Sequence, residues 1–137
     1  DNMKMTGRLV ISINDNEVQE VDNLVVTAGT EFVASRMIGT SSDVMDNMAV
    51  GSGAVAAAAG DTALGSELDR QPATSSASGA VVTYSATFGA GNGTGAVTES
   101  ALFNAASGGT MLCRTVFPVV NKSASDSMTI SWAVTVS

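Results

Sequence analysis

Histidine is absent from this chain of 137 residues, and cysteine occurs once. The first absence removes Ser-His and Cys-His nucleophile pairs together with the commonest metal ligand. The second excludes an internal disulfide and any cysteine-based zinc cluster. Cys113 stands in the alternating run Met111-Leu112-Cys113-Arg114-Thr115 and reads as a buried strand residue. Basic residues are scarce too: Lys4, Arg8, Arg36, Arg70, Arg114 and Lys122 are scattered and form no run. At a net charge of −7 the chain lacks the clustered Lys and Arg on which phosphate-backbone binding depends, so no direct contact with nucleic acid is expected. The aromatics are Trp132, Tyr84 and four Phe, most of them on alternating core faces, which leaves few for carbohydrate contact. Long apolar runs are missing. The longest apolar block, residues 54–59, is far below the roughly 20 residues of a spanning helix, so no membrane partner is expected. The start, DNMKMTGRLV, is charged and lacks the apolar stretch of a signal peptide, and Asp at position 1 suggests a processed N-terminus.

Small residues are plentiful, above all in residues 48–70, MAVGSGAVAAAAGDTALGSELDR. GSGAVA fits the relaxed G-x-G-x-x-[GA] pattern of a dinucleotide loop. Such a loop must open a helix whose N-terminal amides hold pyrophosphate. Gly60-Asp61 cuts the candidate helix off after Ala54 to Ala59, and no lysine follows as in a Walker loop. The stretch therefore reads as a close-packed connection leaving a strand, with Leu64 and Leu68 as core anchors, and no cofactor is expected.

Period-two alternation dominates the rest. Leu9, Ile11 and Ile13 share one face of a strand, and Asn14-Asp15-Asn16 marks a turn before the extended stretch from Val18 to Val26. Calcium ligation by that acidic and amide cluster would need the loop glycine and distal glutamate of an EF-hand, which are missing, so no metal is expected. Residues 81–88 and 97–103 alternate again, and the glycine-rich residues 89–95 between them predict a hairpin tip. Two further strands follow at 111–119 and 128–136, with Pro118 predicting an edge or a bend. Only residues 28–38 show helical spacing, with Phe32, Val33, Met37 and Ile38 as the apolar stripe, Thr27 or Thr30 as N-cap and Gly39 as C-cap. The expected fold is mainly β: an antiparallel β-sandwich of jelly-roll or immunoglobulin-like form with one short helix. Residues 7–137 form its single domain. Residues 1–6 read either as an arm whose Met3, Lys4 and Met5 reach a neighbour, methionine adapting to irregular surfaces, or as a frayed terminus.

Three segments carry a family resemblance: VGSG with its alanine spacer, GDTALGSEL and the following arginine; NLVVTAGTEFVASRMIG (residues 23–39); and ALFNAASGGTMLCRTVFPVV with SMTISWAVTVS (residues 101–120 and 127–137). Taken in chain order they resemble small virion structural proteins of tailed bacteriophages, described as capsid decoration (cement) or tail-fibre proteins. The resemblance implies a non-enzymatic protein on the outer surface of the virion capsid, made in the host cytoplasm. Its implied partners are the major capsid protein and copies of itself, as a homotrimer, and its implied role is stabilisation of the shell. A tail-fibre or tail-tip module contacting the host surface or other tail proteins is the second expectation. An acidic surface suits an exterior shell protein. Carboxylate pairs such as Asp43 with Asp46, or Glu67 with Asp69, have spacings usable for acid-base chemistry, but 13 acidic residues produce them by chance and no catalytic residue is assigned.

Overall fold

Alternation along the chain becomes two five-stranded antiparallel sheets in the computed structural model, which describes residues 4–39 and 43–136. The strands are β1 (Met5–Ile13), β2 (Asn16–Asp22), β3 (Leu24–Val25), β4 (Asn47–Gly51), β5 (Glu67–Pro72), β6 (Thr74–Ser78), β7 (Val81–Phe88), β8 (Gly95–Phe103), β9 (Met111–Lys122) and β10 (Met128–Val136). The helix α1 spans Thr27–Met37 between β3 and β4. Sheet A has the order β2-β1-β10-β7-β6 and sheet B the order β3-β9-β8-β4-β5. The first long strand and the last lie side by side, paired from Met5 with Val136 to Ile13 with Met128. The expected β-sandwich with one short helix is the observed fold.

Between the sheets, Leu9, Ile11, Met48, Phe88, Leu102, Met128, Ile130 and Trp132 are fully buried and form the main core. Each contributes about 1.5–3 kcal/mol by leaving water. On β10 the alternation is complete: Met128, Ile130, Trp132 and Val134 face the core. A smaller cluster lies on the outer face of sheet B, made of Val26, Ala49, Ala101, Phe103 and Met111 with Ala28 and Leu64 packed on it. Sheet B is thus covered on both faces.

Several local expectations hold and others need correction. Asn14 and Asp15 both take positive φ (48° and 70°), as a two-residue type I′ hairpin turn requires. Pro118 sits in a ladder irregularity, since two steps along β8 from Val97 to Glu99 oppose four along β9 from Val120 to Val116. β7 and β8 do not form a hairpin: they belong to different sheets, so residues 89–95 cross the sandwich. Glycine-rich turns serve either purpose. The helix N-cap is Val26, without a side-chain cap, while Thr27 is its first residue. Ile38 is the C-cap, and Gly39 follows it at φ 72°, where glycine is favoured. Met37 and Ile38 are 83% and 78% exposed, so only Phe32 and Val33 of the expected stripe pack on the core. Leu68, expected as an anchor, is exposed, whereas Leu64 packs on the outer cluster.

Candidate functional site

Two places in the sandwich concentrate chemistry: a charged centre beneath the 52–66 connection and an apolar cleft beside the start of β1. The centre grows from β8, where Glu99 shares the outer face of sheet B with Ala101 and Phe103 and is completely buried. A buried carboxylate must be paired and hydrogen-bonded to be tolerated. Its Oε2 accepts from the amides of Gly53 (2.7 Å) and Ser66 (2.8 Å), and its Oε1 from the amide of Gly65 (2.8 Å). Arg114 on β9 donates to Oε1 from Nε at 3.2 Å and Nη2 at 2.9 Å. Its other donor bonds reach Asp61 Oδ2 (2.9 Å) and the Val55 carbonyl (3.0 Å). Burial pushes the Glu99 carboxyl up, but the amides of Ser66 and Gly65, the Arg114 side chain and the Gly53 amide outweigh it and hold the group below the ordinary carboxylate range.

Gly51 and Gly53 of the connection now have a physical cause. A Cβ on Gly51 would overlap the Ser66 carbonyl and the Glu99 carboxylate, and one on Gly53 would lie 2.5 Å from Glu99 Oε2. Only glycine admits that approach. The glycine turn does cradle an anion, and the anion is the chain's own Glu99. Asp61 adds a local bond by accepting from the Ala58 amide, and Thr27 N donates to the Ala59 carbonyl, tying the strap to the helix. Just beyond the strap, Arg70 lies over the Phe103 ring at 3.8 Å, pairs with Glu67 at 2.7 Å and donates to the carbonyls of Ala105 and Gly108. Chemically, this whole region closes hydrogen bonds internally.

At the other place, Met5 opens β1 opposite Val136 and is half-buried. It lines a mainly apolar cleft of about 230 Å³ with Phe32, Val33 and Arg36 of α1, Val44 and Met45, and Tyr84 of sheet A. Val44 is 53% exposed, and the helix ends nearby in the exposed Met37 and Ile38. Lys4, also exposed, lies with Met5, Val33 and Val136 along an adjoining groove. Of the three interface residues expected from sequence, Lys4 and Met5 therefore flank this apolar end, and Met3 lies outside the described residues. Met5 and Thr6, assigned to the arm, belong to β1. Phe32, Val44 and Tyr84 were not among the expected interface residues, because only the topology brings helix, 43–46 segment and β7 together. Glu99 and Arg114 were missed as well, although a lone carboxylate among the apolar outer-face residues of β8 is a signal for a buried pair.

Of the carboxylates paired by spacing in the sequence, Asp43 is exposed and the other three make local side-chain contacts. Glu67 pairs with Arg70, Asp69 accepts from Gln71, and Asp46 accepts from Asn47. Cys113 is fully buried, and that burial pushes its thiol well up from the ordinary value, against smaller opposing contributions from Asn23 and Leu102. Among the described residues no group of three or more acidic or cysteine side chains is placed to hold a metal ion, and no helix is long and apolar enough to cross a membrane. Comparison of the chain with family models, with curated proteins and with solved structures returns no match.

Proposed function

We propose that this chain is a non-enzymatic virion structural protein that decorates the capsid, binding the outer surface of the major capsid subunits as a small homo-oligomer and stabilising the shell. The observation that carries the reading is the apolar end of the sandwich. Val44 stands exposed on a mainly apolar cleft lined also by Met5, Phe32 and Tyr84, and α1, whose Arg36 lines it too, runs on into the exposed Met37 and Ile38. Exposed apolar surface grouped in one place marks an interaction site. The sequence resemblance to small phage virion proteins supplies the kind of partner. Binding that is confined to the assembled lattice stabilises that lattice by mass action, and repetition over many sites multiplies the effect.

The reading is tested on purified particles by copy number and by truncation. Decoration requires hundreds of copies per particle on the shell, and removal of residues 1–6, which takes Met5 from the cleft, should lower occupancy. A count of tens or fewer would move the protein to the tail, the second expectation from the resemblance. Unchanged occupancy after truncation would remove the N-terminal residues from the interface.

A further inference from the structure

Each sheet has two edge strands, and three of the four are guarded against pairing with another chain. β2 carries Glu17, Glu20 and Asp22 and has a register shift against β1. β5 carries Glu67, Asp69 and Arg70, ends at Pro72 and has a shift against β4. β3 is only two residues long. β6 differs from all of them. Its residues, Thr74-Ser75-Ser76-Ala77-Ser78, include neither charge nor proline, are exposed at every position, and pair with β7 in unbroken register. Because β6 is the edge strand and pairs with β7 alone, the backbone groups it turns away from β7 have no ladder partner among the described residues.

We infer that β6 is the pairing edge for a second copy of this chain, joined antiparallel about a two-fold axis at Ser76, so that sheet A continues from one copy into the next. Size and charge both favour a copy as the occupant. Across the axis Thr74 opposes Ser78, Ser75 opposes Ala77, and Ser76 opposes itself, so small side chains meet small ones on both faces. A chain of net charge −7 repels its own copies except where its edge is neutral, and of the two uncharged edges β3 is only two residues long, which leaves β6. Its charged neighbour does not interfere. β5 and β6 are consecutive, separated by Ala73 alone, and the chain changes sheet there. An antiparallel copy on β6 therefore sends its own residues 67–71 beyond the Gly79 turn of the first, and carboxylates do not face each other. The contact is short, so association is concentration-dependent rather than permanent.

The inference is independent of where the protein acts, and purified chain alone tests it. Cys113 is buried, so Ser76→Cys creates one exposed thiol, placed at the axis, where paired strands hold Cα atoms within disulfide range. Mild oxidation should give a covalent dimer from Ser76→Cys and little from Ser131→Cys, an exposed position in the middle of the same sheet. Sedimentation over a concentration series should show wild-type dimers weakened about tenfold or more by Ser76→Lys, which sets like charges opposite each other. Gln19→Lys on β2 should leave them unchanged. Matching melting curves establish that the variants fold. Equal cross-linking of the two cysteine variants, or association indifferent to Ser76→Lys, would overturn the inference.

Discussion

The outer face of sheet B and the apolar end near Met5 solve opposite problems. Over sheet B the chain supplies its own cover: the 52–66 strap lies on Ala49, Ala101 and Glu99, and every charged group beneath it is matched by an amide, a guanidinium or a carbonyl. Near Met5 the mainly apolar cleft stays open: Val44 on its lining is exposed, and so are Met37 and Ile38, which follow its lining residue Arg36. Cover of the first kind demands glycine at positions 51 and 53, because backbone must approach the Glu99 carboxylate there. Surface of the second kind demands nothing of the fold. The difference teaches that glycines of the conspicuous small-residue motif serve the fold's own buried Glu99, whereas the exposed methionine, isoleucine and valine are, on the proposed reading, the surface that a partner would cover.

That contrast can be broken at several points. The largest effect is expected from Glu99→Ala, which leaves Arg114 buried without its main partner and three amides without an acceptor, at a cost of about 3–5 kcal/mol. The melting temperature should fall by roughly 10–20 °C, and limited proteolysis should cut within residues 52–66. Gly53→Ala should cost about 1–3 kcal/mol by thrusting a methyl into the Glu99 carboxylate, read from the same melts. Acid gives a smaller, reversible version of the first change. Because the folded Glu99 carboxyl sits below its ordinary value, its stabilisation is present above the unfolded pKa of about 4.3 and is lost as pH falls through the folded value. Hydrogen exchange at Gly53, Gly65 and Ser66 should therefore accelerate on acidification before exchange in β10, beyond the ordinary change in intrinsic rate. Glu99→Gln should remove that extra pH dependence. The smallest effect on stability, within about 0.5 kcal/mol, is expected from Met37→Ser, Ile38→Ser and Val44→Ser.

Legibility in the sequence followed the same division. β10 is readable because one of its faces is buried and period two records that directly, and in β7 the same holds at its end, where Ala86 and Phe88 are buried. The helix was readable from its spacing, but the exposure of Met37 and Ile38 was not, since an apolar residue carries no mark of whether the fold or a partner covers it. Gly51, Gly53 and Gly65 announced a close approach without naming what approached, because Glu99 lies 46 residues beyond Gly53. Strand order stayed hidden for a related reason: the turn at residues 89–95 has the composition of a hairpin and the role of a crossing between sheets. The cleft is assembled from β1, α1, the 43–46 segment, β7 and β10, and only their pairing reveals it.

The most direct test adds purified protein to shells that lack it and compares wild type with the triple variant Met37→Ser, Ile38→Ser, Val44→Ser. If the uncovered end is the surface that meets the capsid, the triple variant melts with the wild type and fails to occupy the shell. Wild-type occupancy by a folded triple variant would contradict that assignment.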